Sequence, residues 1–188
     1  MIRLSVALRV FLFVAFALSL GGCKTIGGWF GGTEEETETL PLEDLYAKAK
    51  GYLVEGSPSK AEKYYQRLVA RFPFGPYSEQ SQLELAYAQY KAGKLEDATA
   101  GVDRFIRTYP RHRHIDYAYY LKALINFDRE RTIFTRLARM DLSQRDLASP
   151  TQSYNDFNDV IRRYPNSRYA ADARQRMVYL RNLLARHE

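Results

Sequence analysis

Three segments of this chain align without gaps over 13 residues, and each one closes on a proline. They are residues 61–73 (AEKYYQRLVARFP), 98–110 (ATAGVDRFIRTYP) and 153–165 (SYNDFNDVIRRYP). Offsets of 4, 7, 8 and 11 from the first residue are aliphatic or aromatic in all three, which places these side chains on one helical face. Proline lacks an N–H and disfavours helix at the residue before it, so each helix is predicted to end there.

A second set of predicted helices alternates with these repeats. It comprises residues 42–55, 77–92, 115–128 and 167–187, with Gly93 as a C-terminal cap and Asn166 or Ser167 as an N-cap. The first two prolines lie 37 residues apart and the next spacing is 55, because an insert at 129–149 precedes Pro150. Paired helices with a period of about 34 to 37 residues are typical of tetratricopeptide repeats. The sequence predicts an all-α, tetratricopeptide-like α-solenoid of three helical hairpins plus one further helix, spanning residues 42–188.

The N-terminus has the pattern of an export signal. Residues 1–9 carry two arginines and no acid, and residues 10–20 (VFLFVAFALSL) are almost wholly apolar. This apolar run is shorter than the about 20 residues that a membrane-spanning helix needs. Residues 1–22 are therefore predicted to be a signal peptide that is removed from the mature chain.

Cys23 follows the signal at the position of a lipid attachment site. The sequence LGGC at residues 20–23 resembles the lipobox of bacterial lipoproteins, in which the cysteine thiol is acylated and becomes the mature N-terminus. The alternative is an idle cysteine in a cleaved signal or in a single membrane helix. Residues 23–41 are rich in Gly, Thr and Glu, so they are predicted to form a flexible, lipid-anchored tether.

Composition and motifs exclude several classes of function. Without residues 1–22 the chain has 26 basic and 22 acidic residues, mixed along its length, which argues against nucleic acid as a partner. No Gly-rich phosphate loop, GxSxG or HExxH motif occurs. The three histidines have no acid or cysteine at a metal-ligand spacing. We therefore expect a non-enzymatic protein that binds no metal and carries no cofactor besides the lipid on Cys23.

Aromatic side chains mark the expected binding surface. In a solenoid of helical hairpins, the first helix of each hairpin lines the concave face. Two groups of residues are candidates for binding partners or substrates: the turn residues Phe72, Phe74, Pro76 and Tyr77, and the helical residues Tyr87, Tyr90, Tyr117 and Tyr120. The alternative for each is core packing, with Phe72 and Phe74 buried beneath a rigid turn. The cluster at residues 111–114 (RHRH) suits either a carboxylate ligand or a solvated turn.

Four stretches closely resemble the BamD (ComL) family of lipoproteins: LYAKAKGYLVEG, RFPFGPYSEQSQLELAYAQYKAG, DRFIRTYPRHRHIDYAYYLKAL and RRYPNSRYAADARQRMVYLRNLLA. The resemblance implies a location on the periplasmic face of the outer membrane, within the β-barrel assembly (Bam) complex. It also implies docking on BamA, contacts with the lipoproteins BamC and BamE, and binding of unfolded outer-membrane proteins. By residue matching, Phe72 through Tyr77 carries the family's aromatic turn, although the family often has Tyr at position 72.

The chain departs from the family pattern at two places. The insert ERTIFTRLARMDLSQRDLASP keeps the family's insert position, but its first half differs from the usual form. The family continues for about one and a half repeats beyond Glu188, and these repeats are linked to BamA docking, so a BamA contact by this chain is in doubt. We therefore expect helix 167–187 to expose an apolar face formed by Ala171, Met177, Val178, Leu180 and Leu184. A generic periplasmic repeat adaptor for peptidoglycan or cell-division proteins is the alternative function.

Overall fold

The computed structural model describes residues 37–137 and 148–185. The chain divides into two compact units, residues 1–41 and residues 42–188. In the first unit the described residues are 37–41, of which 37–39 form a helical turn. The predicted signal peptide, Cys23 and most of the predicted tether lie outside the described residues.

The described residues of the second unit, 42–137 and 148–185, form seven helices. They are α1 (Leu42–Val54), α2 (Pro58–Arg71), α3 (Pro76–Lys91), α4 (Leu95–Thr108), α5 (Ile115–Leu137), α6 (Ala148–Arg163) and α7 (Ala170–Leu184). Each helix packs against the next along the chain, and α3 also contacts α1 and α5 directly. We call α1, α3, α5 and α7 the A helices and α2, α4 and α6 the B helices. The predicted all-α, tetratricopeptide-like α-solenoid is confirmed.

Two glycines end A helices and reverse the chain. Gly56 and Gly93 have φ values of 74° and 78°, a left-handed conformation that glycine adopts without steric cost. At the second turn the Gly93 N–H donates to Tyr90 O and the Lys94 N–H to Gln89 O, the bond pattern of a Schellman cap. Gly93 is therefore the C-terminal cap that the sequence predicts.

The helices that contain the three aligned segments begin earlier than the segments themselves. Helices α2, α4 and α6 begin at Pro58, Leu95 and Ala148, whereas the aligned segments begin at residues 61, 98 and 153. The aligned segments contain the repeated core residues of each helix, whereas the turn before the helix determines its first residue. Pro58 illustrates this, because a proline in the first turn loses no intrahelical hydrogen bond.

Three further sequence predictions about helix ends and faces were wrong. Helix α5 continues to Leu137 rather than ending at Asp128, since residues 129–137 contain no proline or glycine. The N-cap of α7 is Tyr169 rather than Asn166 or Ser167; the Ser167 hydroxyl instead accepts from the Tyr169 N–H at 3.2 Å.

The exposed face of α7 also differs from the prediction. Leu180 is only 1% exposed, because it shares an inward face with Ala173 and Ala170 at helical spacing. Val178 and Ala171 do lie on the outward face, where Val178 is 48% exposed. Met177 and Leu184 are partly buried.

Helix α5 contributes to two hydrophobic cores. The first core joins α3, α4 and α5, and its buried members include Leu83, Val102, Phe105, Leu121 and Ile125. The second joins α5, α6 and α7, with Tyr120, Ala123, Phe157, Val160 and Leu180 among its members. Tyr117 packs against both. Because adjacent residues of α5 face different cores, this helix contributes to both cores and connects them.

Helices α3 and α4 approach closely through small side chains. A Cβ atom at Gly101 would lie 3.2 Å from the Cβ atom of Ala86, which is tighter than ordinary van der Waals contact. Glycine here allows the two helices of one hairpin to pack at this short distance.

Among the described residues, we find no helix with the length and apolar character needed to cross a membrane.

Candidate functional site

Two adjoining cavities form a groove along the A helices. The larger has a volume of about 630 Å³ and the smaller about 460 Å³, and both are lined by Tyr46, Gln80 and Arg113. We call the joined cavities the A-helix groove. Its remaining lining includes Lys50, Leu53, Val54, Tyr65, Pro76, Tyr77, Glu79, Glu84, Tyr87, Arg111, His112, His114, Tyr117, Arg168 and Tyr169. Helices α1, α3 and α5 and the two turns after α4 and α6 therefore meet at one surface.

A single carboxylate organises the floor of the groove. Glu84 accepts hydrogen bonds from the Tyr46 hydroxyl at 3.1 Å, the Tyr65 hydroxyl at 2.5 Å and the Gln80 amide at 2.8 Å. Burial, followed by the negative charge of Glu84, raises the pKa of Tyr46 to about 12 and that of Tyr65 still further. Both tyrosines are therefore protonated donors at neutral pH, and Glu84 links α1, α2 and α3.

Basic residues outnumber acidic ones in the groove lining, where Lys50 and three arginines face Glu79 and Glu84. Lys50, Arg113 and Arg168 are exposed residues of its lining. The neighbouring His112 is partly buried, and this burial, together with the nearby His114, lowers its pKa. The lowered pKa disfavours the charged form of His112, whereas the lysine and arginines of the lining carry a positive charge at neutral pH. Such a rim favours ligands that carry carboxylates.

Aromatic rings cover much of the groove surface. The Tyr87 ring lies 6.3 Å from the Tyr117 ring, which in turn lies 5.2 Å from Tyr169. At the other side, Tyr46 and Tyr77 form an edge-to-face pair with centroids 5.3 Å apart. Interlocked rings hold each other in place, so little side-chain entropy remains to be lost when a ligand binds.

Successive A helices are joined by tyrosine–carboxylate hydrogen bonds. Tyr46 of α1 donates to Glu84 of α3, and Tyr90 of α3 donates to Asp128 of α5. The same arrangement recurs between Tyr120 of α5 and Asp172 of α7, at 2.5 Å. In each of the first two pairs, the tyrosine and its carboxylate partner are 38 positions apart in the sequence, close to the repeat spacing. These bonds fix the relative positions of the helices that line the groove.

The predicted site residues divide into two groups. Pro76, Tyr77, Tyr87 and Tyr117 line the A-helix groove. The remaining four lie outside its lining: Phe72, Phe74, Tyr90 and Tyr120.

Each of these four has a different environment. Tyr120 is 9% exposed and belongs to the second core, and Tyr90 is held by Asp128. Phe72 is partly buried under the Arg71 guanidinium, at 4.9 Å. Phe74 is 90% exposed, so the alternative of core packing is wrong for this side chain. Cys23 lies outside the described residues.

Sequence reasoning missed several residues of the groove. Tyr46, Glu84, Arg168 and Tyr169 were not among the candidates, although all four contribute to its lining. Glu84 had a detectable signal, because Tyr46 and Glu84 repeat the spacing of Tyr90 and Asp128. Arg168 and Tyr169 had none, because they reach the groove from a turn that precedes the last A helix.

The described residues contain no group of three or more His, Cys, Asp or Glu side chains that could hold a metal ion. Stacked helical hairpins with a groove between their first helices define a tetratricopeptide-like repeat protein. A family model described as an outer membrane lipoprotein, YfiO, matches residues 38–188. The chain therefore belongs to the YfiO family of outer membrane lipoproteins, which are non-enzymatic assembly factors, and the resemblance to BamD is confirmed.

Individual relatives carry the name outer membrane protein assembly factor BamD. The protein of Xylella fastidiosa strain 9a5c is 51% identical over 149 residues, which cover 79% of this chain and 51% of that protein. The protein of Neisseria meningitidis serogroup B is 38% identical over 180 residues, covering 96% of this chain and 67% of the relative. The protein of Vibrio cholerae is 34% identical to this chain, and the match covers 71% of that relative. The chain spans about half the length of the most similar of these three.

Proposed function

We propose that this chain acts as a lipoprotein scaffold subunit of the outer-membrane β-barrel assembly (Bam) complex. It binds partner subunits and nascent outer-membrane proteins for folding and insertion. Family membership supports the assembly role, because the relatives are named as outer membrane protein assembly factors. Acylated Cys23 anchors the chain to the periplasmic face of the outer membrane. BamA and the other Bam lipoproteins are the proposed partner subunits.

The A-helix groove is the observation that supports polypeptide binding. Its two cavities total more volume than one side chain fills, so it suits an extended segment with several contacts. The floor offers tyrosine rings, and the rim offers Lys50, Arg113 and Arg168. A segment with aromatic side chains and a free carboxylate matches both features. The C-terminal ends of unfolded outer-membrane proteins have a free carboxylate by definition.

Peptide binding to the full chain tests this proposal. Fluorescence anisotropy would compare C-terminal peptides of outer-membrane proteins with the same peptides carrying a C-terminal amide. We expect the free acid to bind more tightly and Tyr77→Ser to weaken binding about fivefold, since one aromatic contact contributes on the order of 1 kcal/mol. Tyr179→Ser is the matched control, because Tyr179 is 55% exposed on α7, outside the groove lining.

Affinity purification from envelope membranes separates the assembly role from the alternative. Recovery of BamA or other Bam lipoproteins with the full chain supports a Bam subunit. Recovery of peptidoglycan enzymes or division proteins without any Bam subunit favours the generic periplasmic adaptor. Loss of peptide binding alone, with Bam subunits still recovered, would confine the error to the groove.

A further inference from the structure

The three turns that lead from a B helix to an A helix lie along one edge of the solenoid. Residues 72–75 precede Pro76, which shares the smaller cavity with residues 111–113 of the next turn. Arg113 and His114 of that turn share the larger cavity with Arg168 of the last turn. These contacts place the turns in succession, and we call this surface the turn edge.

Arginine is concentrated at the turn edge. The segments 107–114 and 162–168 together contain six arginines, two histidines and no acid: Arg107, Arg111, His112, Arg113, His114, Arg162, Arg163 and Arg168. All six arginines are exposed. Asp159 compensates part of this charge, with its oxygens 3.1 Å from Arg162 and 3.7 Å from Arg163. Asp116 lies nearby and accepts from Ser167 at 2.6 Å.

Helix stabilisation does not account for this concentration. Cations in the last turn of a helix interact favourably with its dipole, which explains Arg107, Arg162 and Arg163. Arg111, Arg113 and Arg168 lie in the turns, outside any helix. They extend the positive surface in the direction of the next A helix.

An exposed aromatic side chain occupies the same edge. Phe74 is 90% exposed, and Tyr77 beside it is 42% exposed. Pro73 and Pro76 restrict the backbone on either side of Phe74, and Gly75 adopts a φ of 99°, which glycine reaches without steric cost. The chain therefore holds a phenylalanine ring in solvent on a constrained turn, an arrangement that folding alone does not require. Aromatic rings next to cations are typical of surfaces that meet a membrane interface.

Helix α1 begins at this edge as well. The N-termini of α3, α5 and α7 follow directly from the three turns, and α1 runs parallel to α3. Tyr46, in the second turn of α1, contacts Tyr77 at the start of α3 and lines the cavity with Arg111. Leu42 therefore begins α1 at the turn edge, and the residues that connect it to Cys23 precede it in the chain.

We propose that the turn edge rests on anionic phospholipid headgroups, with the arginines at the phosphates and Phe74 at the interface. The lipid anchor would then fix the chain to the membrane and the turn edge would orient it. The proposal extends the family's membrane location to a lipid contact made by the folded unit. The turn edge shares Arg113 and Arg168 with the rim of the A-helix groove, so the test below uses arginines that lie outside the groove lining.

Site-specific quenching on vesicles tests this orientation. Cys23 is the only cysteine and its thiol is consumed by acylation, so an introduced cysteine is the only free thiol. The lipidated full chain would carry a fluorophore at Asn166→Cys on the turn edge, or at Glu55→Cys in the turn after α1. Both residues are exposed. Vesicles of phosphatidylcholine, with or without phosphatidylglycerol, would include lipids with a quencher on the headgroup.

We expect quenching at position 166 to exceed that at position 55 and to increase with phosphatidylglycerol. The triple variant Arg107→Gln, Arg162→Gln, Arg163→Gln should lower the ratio of membrane-bound to free turn edge roughly a hundredfold, because each surface arginine contributes about fivefold. Phe74→Ser should lower it further. The control triple removes three exposed cations elsewhere, Lys60→Gln, Lys91→Gln and Arg181→Gln, and should leave quenching at position 166 nearly unchanged.

Three results would overturn the proposal. One is equal quenching at positions 55 and 166. Another is quenching at position 166 that does not respond to phosphatidylglycerol or to the arginine triple. The third is a loss of quenching at position 166 that is as large in the control triple variant as in the arginine triple variant. That result would show that binding depends on net charge alone. Helical circular dichroism of each variant verifies that the substitutions leave the solenoid folded.

Discussion

The Tyr65 hydroxyl illustrates how single residues stabilise the groove. The side chain is fully buried in α2, and its hydroxyl donates to the Glu84 carboxylate at 2.5 Å. A buried hydroxyl without a partner costs free energy, whereas the hydrogen bond to a charged acceptor is favourable. Glu84 therefore stabilises the fold and also lines the A-helix groove.

This arrangement predicts unequal costs for removing its two partners. Glu84→Ala should lower the free energy of unfolding by about 2 to 3 kcal/mol, because it strands the buried Tyr65 hydroxyl. Tyr65→Phe should cost only about 1 kcal/mol, since Glu84 keeps Tyr46 and Gln80 as donors. Urea unfolding followed by circular dichroism measures both. Glu96→Ala is the control, because its side chain is 87% exposed and should change stability by less than about 0.5 kcal/mol.

At the scale of helices, the hydrogen bond between Tyr120 of α5 and Asp172 of α7 makes a contribution to stability that depends on pH. Burial of Asp172 opposes its ionised form, but hydrogen bonds from Tyr120 and Arg176 favour that form and hold the pKa below the ordinary 3.8. A carboxyl whose pKa is lower in the folded state stabilises the fold above its ordinary pKa. That stabilisation is lost as the pH falls through the lowered value.

Asp172→Asn should reveal this dependence. The difference in unfolding free energy between the natural chain and Asp172→Asn is expected to be largest near pH 7 and to shrink below about pH 4. Urea unfolding at a series of pH values measures the difference. A difference that stays constant from neutral to acidic pH would mean that Asp172 acts through packing or geometry and not through its charge.

The helices show how far sequence reasoning reaches. Periodicity and the closing prolines predicted each hairpin, because a core face and a helix breaker are local properties of the chain. The starts of α2 and α4 did not follow from the aligned core pattern, because turn chemistry decides them. The orientation of Leu180 and the burial of Tyr120 depend on a neighbouring hairpin, and one helix's pattern does not specify its neighbour. The same limit applies to Arg168, which a turn brings into the groove.

At the scale of the whole solenoid, the first and second cores are coupled because both contain residues of α5. Repeat proteins have stabilities that are roughly sums of each unit and the interfaces between adjacent units. Phe105 is fully buried in the first core and Phe157 in the second. Damage to either core should therefore be strongest near the substitution and should weaken with distance along the chain.

Hydrogen exchange would detect this local response. Phe105→Ala and Phe157→Ala should each lower stability by about 3 to 5 kcal/mol. Amide exchange is expected to accelerate most in α3 and α4 for the first variant, and in α6 and α7 for the second, with α5 affected in both. Uniform acceleration across all helices in either variant would instead indicate a single cooperative unit.

The shared helix α5 also sets an order of events for a chain that emerges from an export channel N-terminus first. The first core needs residues only as far as Ile125, so it is complete before α6 and α7 have left the channel. Contacts between consecutive helices form rapidly because little chain must be closed into a loop. By the time α6 and α7 emerge, the opposite side of α5 is an already formed template, and assembly during export proceeds by stepwise addition.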